Sequence, residues 1–213
     1  MSRQYCQKCH KVISTCICQW LQVQSNRAPV LILQHSDEIK KTLGTARLVE
    51  LSLEKAHVIS GTVFKKKECL KRLSEFKATN PILLYAQKME HGPFHITLDV
   101  SQTTICSNAL NSRFDSIIVL DGTWRNTREI LHKNEWLHTL PTISLSHVSP
   151  SRYRIRKSSQ ENALATIEAV AQLLAITDKA LDQNTLLKPF EQMINTQIAK
   201  MGDAVYHRNY KSI

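Results

Sequence analysis

The chain has 213 residues and a mass of 24.3 kDa, with 42% hydrophobic and 22% charged residues, which suits one folded domain with a small appendage and excludes a disordered chain. Its five glycines, Gly44, Gly61, Gly92, Gly122 and Gly202, are too scattered to cradle phosphates, which excludes the Walker and GxGxxG nucleotide patterns. A net charge of +10 and a pI of about 9.4 favour a polyanionic partner such as RNA, DNA or anionic lipid, although many basic proteins bind none of these.

The first segment carries Cys6, Cys9, Cys16 and Cys18 in the pattern C-x2-C-x6-C-x-C, while Cys69 and Cys106 stand alone. The start of the chain has no apolar signal region and no apolar run approaches the ~18 residues of a membrane span, so the expected location is the cytoplasm, away from membranes. In that reducing compartment clustered thiols hold a metal more often than they form disulfides, and four thiolates suit structural zinc. His10 is a possible substitute ligand, and an unliganded or redox cluster is the alternative. Four protein ligands leave no open position for zinc catalysis.

Beyond Trp20, apolar runs of strand length alternate with helical patterns. Strands are predicted at 29–33 (PVLIL), 57–59, 81–85 (PILLY), 116–120 (SIIVL) and 141–145 (PTISL), and helices at 45–55, 68–76, 123–134, 162–176 and 184–200. The continuous apolar faces of the strands point to an α/β protein with a largely parallel sheet covered on both sides. The histidines of HGPFH, His91 and His95, read as loop residues because Pro93 breaks any helical ligand spacing.

Ligands of such sheets bind beyond the carboxyl ends of the strands, and three places there stand out. Asp121-Gly122-Thr123-Trp124 follows a strand directly, with Arg125 and Arg128 on the ensuing helix. Its plain reading is a helix N-cap by Asp121 or Thr123, and a functional role can coexist with it. Ser151-Arg152-Tyr153-Arg154-Ile155-Arg156-Lys157 interleaves cations with a tyrosine, which suits phosphates and a base, against a merely solvated run. Glu168 interrupts an apolar helix and needs a partner, for which Arg154 or Arg156 is expected. Gln34-His35 follows the first strand, at an active-site edge or as a satisfied core or loop histidine.

Together these places resemble the DTW-domain family, named for an Asp-x-Thr-Trp motif that stands here as Asp121-Gly122-Thr123-Trp124. The resemblance extends in order from about residue 5 to 176: the cysteine cluster, Gln34-His35, Glu38, Thr45, Arg47, Leu83-Leu84-Tyr85, the motif with Arg125, residues 151–157, and Thr166, Glu168 and Ala169. Ser36, Leu43-Gly44 and Ala165 depart from the family's usual proline, Thr-Asn and serine.

The resemblance implies a SPOUT-like α/β fold with a C-terminal trefoil knot over residues 23–213, preceded by a zinc-binding module at 1–22. It implies transfer of the 3-amino-3-carboxypropyl group of S-adenosylmethionine to N3 of a tRNA uridine, in the variable loop in bacterial members, with release of 5′-methylthioadenosine. Asp121, Thr123 and Trp124 then become candidate catalytic residues. Asp121 is either the general base or an attractor of the donor's cationic groups, and Trp124 stacks on uracil, walls the adenosine pocket or fills the core. Leu84, Tyr85, Asp121, Gly122, Tyr153, Arg154, Arg156, Thr166 and Glu168 are the candidate cofactor-binding residues. Arg125, Arg128, Arg152 and Lys157 are candidates for tRNA phosphates, and the protein is expected to be a monomer with no obligate protein partner. Two alternatives stay open: a SPOUT-type RNA methyltransferase using the same pocket, and a non-catalytic zinc-ribbon RNA-binding protein.

Overall fold

Strands covered on both faces need apolar residues at nearly every position, and the longest apolar runs of the chain accordingly form the middle of one sheet. The computed structural model, which describes residues 4–86, 89, 92–101, 113–156 and 163–211, contains β1 (Val30–His35), β2 (Ala56–Gly61), β3 (Pro81–Leu84), β4 (His95–Asp99), β5 (Ser116–Asp121) and β6 (Thr142–Ser146). They form a six-stranded sheet in the order β2-β1-β5-β3-β6-β4, with every adjacent pair parallel. The described helices are α1 (Ala46–Ser52), α2 (Lys66–Ser74), α3 (Trp124–Lys133), α4 (Thr166–Thr177), α5 (Gln183–Met201) and α6 (Asp203–Tyr206). The architecture is the expected α/β one.

Every residue of β1, β3 and β5 is buried, and the pleat sorts their side chains between two cores. Val30, Ile32, Ile82, Leu84, Ile117 and Val119 join α1, α4 and α5 on one face. Leu31, Leu33, Leu83, Ile118 and Leu120 join α2 and α3 on the other. Strand β4 differs from the sequence expectation, since His95 opens a strand and is not a loop residue. Its Nδ1 lies 2.8 Å from Thr142 Oγ1 and its Nε2 3.0 Å from Ser144 Oγ. An edge strand reading HITLD, with only Leu98 fully buried, has no apolar run by which to announce itself. His91, Cys106 and Lys157 lie outside the described residues.

The four N-terminal cysteines converge, with all Sγ atoms within 4.8 Å of one another. Cys6 and Cys18 are 3.6 Å apart and Cys9 and Cys16 3.8 Å. Thiolates at about 2.3 Å from a tetrahedral zinc are separated by roughly 3.8 Å, a spacing these two pairs already have, so the donor set suits that ion. The backbone amides of Cys9 and Lys8 bring the Cys6 thiol down to about 6. Burial, and then the proximity of Cys16 and Cys6, push Cys18 the other way. Four sulfurs at this spacing ionise together only around a cation.

This segment is joined to the sheet domain by packing as well as by chain. Cys9 and Ile17 are buried in the same core as α1 and α5. Lys11 Nζ donates to the Thr42 carbonyl at 2.6 Å, and Arg47 Nη2 donates to the Lys8 carbonyl at 2.9 Å. Lys188 of α5 sits 5.6 Å above the Trp20 ring. Elemental analysis of the purified protein is therefore expected to find one zinc per chain. Cys9→Ser should lose the metal and lower the Tm by at least about 5 °C, because Cys9 is a core residue as well as a candidate ligand. A metal-free wild type of undiminished Tm would refute the structural role.

Candidate active site

Parallel register sets Gln34 of β1 opposite both Ser60 of β2 and Asp121 of β5. Alternation along the strands puts these three polar residues on the same face as Ile32 and Val119, one step beyond the last apolar layer. They form a lateral hydrogen-bonded row. Ser60 Oγ donates to Gln34 Oε1 at 3.0 Å, and Gln34 Nε2 donates to Asp121 Oδ2 at 2.9 Å. The first residue of α4 closes the row from the other side, as Thr166 Oγ1 donates to Asp121 Oδ1 at 2.5 Å. Asp121 is only 6% exposed. Burial pushes its carboxyl above the ordinary carboxylate value, against the opposing pull of the Thr166 and Gln34 donors, and the nearby negative charge of Glu38 adds to the rise.

The turn after β5 separates the tasks of the Asp-Gly-Thr-Trp motif. Thr123 is the N-cap of α3, its hydroxyl accepting from the Asn126 amide at 3.3 Å, so Asp121 is released from capping. Gly122 lets the strand end approach the helix: a Cβ there would lie 2.9 Å from the Cβ of Asn126 and 3.5 Å from that of His35. Trp124 turns to the opposite core, where its ring centroid is 5.7 Å from that of Tyr85. Arg125 and Arg128 are exposed on α3.

The segment after β6 is held by Glu168, whose environment corrects the expected guanidinium partner. Its Oε1 accepts from the Arg152 amide at 2.6 Å, and its Oε2 accepts from the Ser151 hydroxyl and the Ala165 amide, both at 2.8 Å. Ala165 is the N-cap of α4 and has no side-chain acceptor, so Glu168 reaches back to protect its amide. The arginine side chains go elsewhere. Arg152 bridges Glu191 and Asn184 on α5, Arg154 bonds Asn195, and Arg156 Nη1 donates to the Leu164 carbonyl at 3.1 Å. Tyr153, whose hydroxyl is pushed up to about 12 by burial, is a neutral donor to the Leu43 carbonyl at 3.2 Å.

These elements enclose an open cleft of about 200 Å³ at the carboxyl end of the sheet. Of the residues singled out in the sequence, Asp121, Gly122, Thr123, Tyr153, Arg156 and Thr166 line it. Leu84, Tyr85, Trp124, Arg152, Arg154 and Glu168 do not line it, being committed to the two cores, to α5 or to the loop tether. Glu38, Lys41 and Thr45 do, although they were not among the candidate site residues. The signal for Glu38 was an acid three residues beyond a buried strand, on the 3-10 turn Ser36–Glu38; the signal for Gln34 was a polar residue directly after a continuous apolar run. The Lys11 and Arg47 contacts brace both ends of the 42–47 segment, so the cysteine module supports one wall of the cleft.

The family model of the DTW domain matches residues 3–198, and the chain belongs to the DTW-domain family. A Drosophila melanogaster protein named tRNA-uridine aminocarboxypropyltransferase 2 is 26% identical over 220 residues, covering 97% of this chain and 79% of that protein. Proteins of the same name from Macaca fascicularis and Mus musculus are 26% and 25% identical over 203 residues, covering 92% of this chain. The chain spans 64% of the length of each of these two mammalian relatives. No solved structure matches it significantly.

Two substitutions test the geometry. A carboxyl held above its ordinary value binds its proton more tightly in the folded than in the unfolded chain. Ionising it therefore costs stability as the pH rises past the unfolded value of about 3.9. Urea unfolding between pH 4 and pH 8 should show Asp121→Asn gaining on the wild type as the pH increases, and a constant gap would contradict burial as the cause. Gly122→Ala should lose about 1–3 kcal/mol in the same assay at neutral pH, because Asn126 and His35 must move.

Proposed function

We propose that the chain is a tRNA-modifying transferase that moves the 3-amino-3-carboxypropyl group of S-adenosylmethionine to N3 of a tRNA uridine, in the variable loop. The observation that carries this reading is the buried Asp121 carboxylate, framed by Gln34 and Thr166, at the floor of a cleft with both acidic and basic walls. Family membership and the names of the relatives support the same class of reaction. Residues 1–22 form the zinc module and 23–213 the catalytic domain in this reading. Its SPOUT-like trefoil knot is proposed for the C-terminal part of that domain.

Asp121 Oδ2 takes the imide proton from N3. A carboxylate raised by burial is a stronger base than one in water, while Gln34 and Thr166 keep both oxygens oriented. The donor would supply a fragment already activated by its sulfonium, so that the N3–carbon bond forms as the carbon–sulfur bond breaks and 5′-methylthioadenosine leaves. Alignment of the two reactants is then the main task of the protein. Gly122 and Thr123 leave backbone open to the ligand, the Tyr153 ring walls the cleft and Arg156 offers its unused guanidinium donors to a carboxylate. Arg125 and Arg128, exposed on α3, are proposed to hold tRNA phosphates, together with Lys157 and with Arg152 beyond its bridge to α5. The enzyme is proposed to act as a cytoplasmic monomer, and among the described residues no helix is long and apolar enough to cross a membrane.

Mass spectrometry of unmodified tRNA incubated with the protein and S-adenosylmethionine tests this directly. The expected result is a nucleoside gain equal to one aminocarboxypropyl group with an equal yield of methylthioadenosine, and a rate at least ~100-fold lower for Asp121→Asn. A methyl-sized gain with S-adenosylhomocysteine would replace the reading by a methyltransferase.

A further inference from the structure

Asp121 engages each of its oxygens with a side chain of the protein, Oδ1 with Thr166 and Oδ2 with Gln34. Glu38, the second acid of the cleft, is arranged differently. It is only 8% exposed, and both of its donors fall on one oxygen: Lys41 Nζ at 2.6 Å and Asn126 Nδ2 at 3.2 Å reach Oε1. Oε2 accepts no hydrogen bond among the described residues. Among the described residues the buried side-chain atoms without a hydrogen bond are His35 Nε2 and Ser52 Oγ, and Oε2 is not one of them, so it keeps its access through the cleft that Glu38 lines.

Holding an acid this way requires construction. The 3-10 turn Ser36–Glu38 brings the side chain back over the end of β1, and Gly122 makes room for Asn126 to reach it. A nearly buried carboxylate with one oxygen anchored and the other open is a preorganised acceptor for a cationic donor. Arg156 lines the same cleft, so a ligand with separated positive and negative ends meets complementary charge at both.

We propose that Glu38 Oε2 binds the α-ammonium group of the aminocarboxypropyl donor and so fixes which end of the transferred chain faces Asp121. This rests on the reading of the cleft as a site for S-adenosylmethionine. Glu38 is thus a binding and specificity residue, distinct from the proton-accepting Asp121. Glu38→Gln keeps the shape and an acceptor for Asn126 but removes the charge.

Calorimetric titration of the full chain with S-adenosylmethionine, S-adenosylhomocysteine, the deaminated homocysteine analogue and 5′-methylthioadenosine separates the contributions. Glu38→Gln should weaken the two ammonium-bearing ligands by roughly 10- to 100-fold and leave the other two within about 2-fold. Equal losses for all four would make Glu38 a merely structural residue, and no loss for any would remove it from the site; either overturns the proposal. Weakening confined to S-adenosylmethionine would assign Glu38 to the sulfonium and overturn the ammonium assignment. On the wild type alone, deamination of S-adenosylhomocysteine should cost a similar roughly 10- to 100-fold, a comparison that holds even if the variant folds poorly. No cost of deamination overturns the proposal with the donor reading intact, whereas a wild type that binds none of the four fails at the donor reading itself.

Discussion

A carboxylate 6% exposed at the end of a sheet is costly to desolvate, and much of the surrounding polar structure answers that cost. Asp121 is kept in place by donors from two directions, the lateral row that starts at Ser60 and the first residue of α4. The row depends on strand register: slipping β1 by one residue would turn Gln34 to the opposite core and leave Oδ2 without its donor. The same burial that raises the proton affinity of Asp121 thus makes the site sensitive to the pairing of three strands.

A second buried acid does a parallel task for the loop above. Glu168 gathers the Arg152 amide, the Ser151 hydroxyl and the Ala165 amide, so the strand-following segment and the start of α4 are fixed by one side chain. With that loop held, Tyr153 reaches the Leu43 carbonyl across the cleft. The opposite wall, from Glu38 to Thr45, is braced from outside by Lys11 and Arg47. The cysteine cluster therefore stabilises more than its own segment: its residues share a core with α5 and a hydrogen bond with the cleft wall.

The Asp-Gly-Thr-Trp motif illustrates how four adjacent residues divide their work. Asp121 faces the cleft, Gly122 permits close packing, Thr123 caps α3 and Trp124 fills the far core beside Tyr85. Pleat and helix start explain the division, since consecutive positions at a strand end point to opposite faces and the helix then carries Trp124 over the edge. The charged segment 151–156 divides similarly, with Tyr153 and Arg156 on the cleft and Arg152 and Arg154 on α5.

Much of this was legible in the sequence because it follows from local rules. Continuous apolar runs determined the buried parallel strands, the spacing of Cys6, Cys9, Cys16 and Cys18 determined a metal-sized sulfur cluster, and Asp121 stood out as an acid directly after a continuous apolar run. The edge strand His95–Asp99 was hidden by its mixed polarity. Which arginines meet the cleft, what holds Glu168, and the role of Glu38 were decided only by tertiary structure. Each depends on contacts between residues far apart in the chain, such as Asn126 with Glu38 and Gln34 with Asp121, and sequence spacing carries no information about which distant donors a buried acid will find.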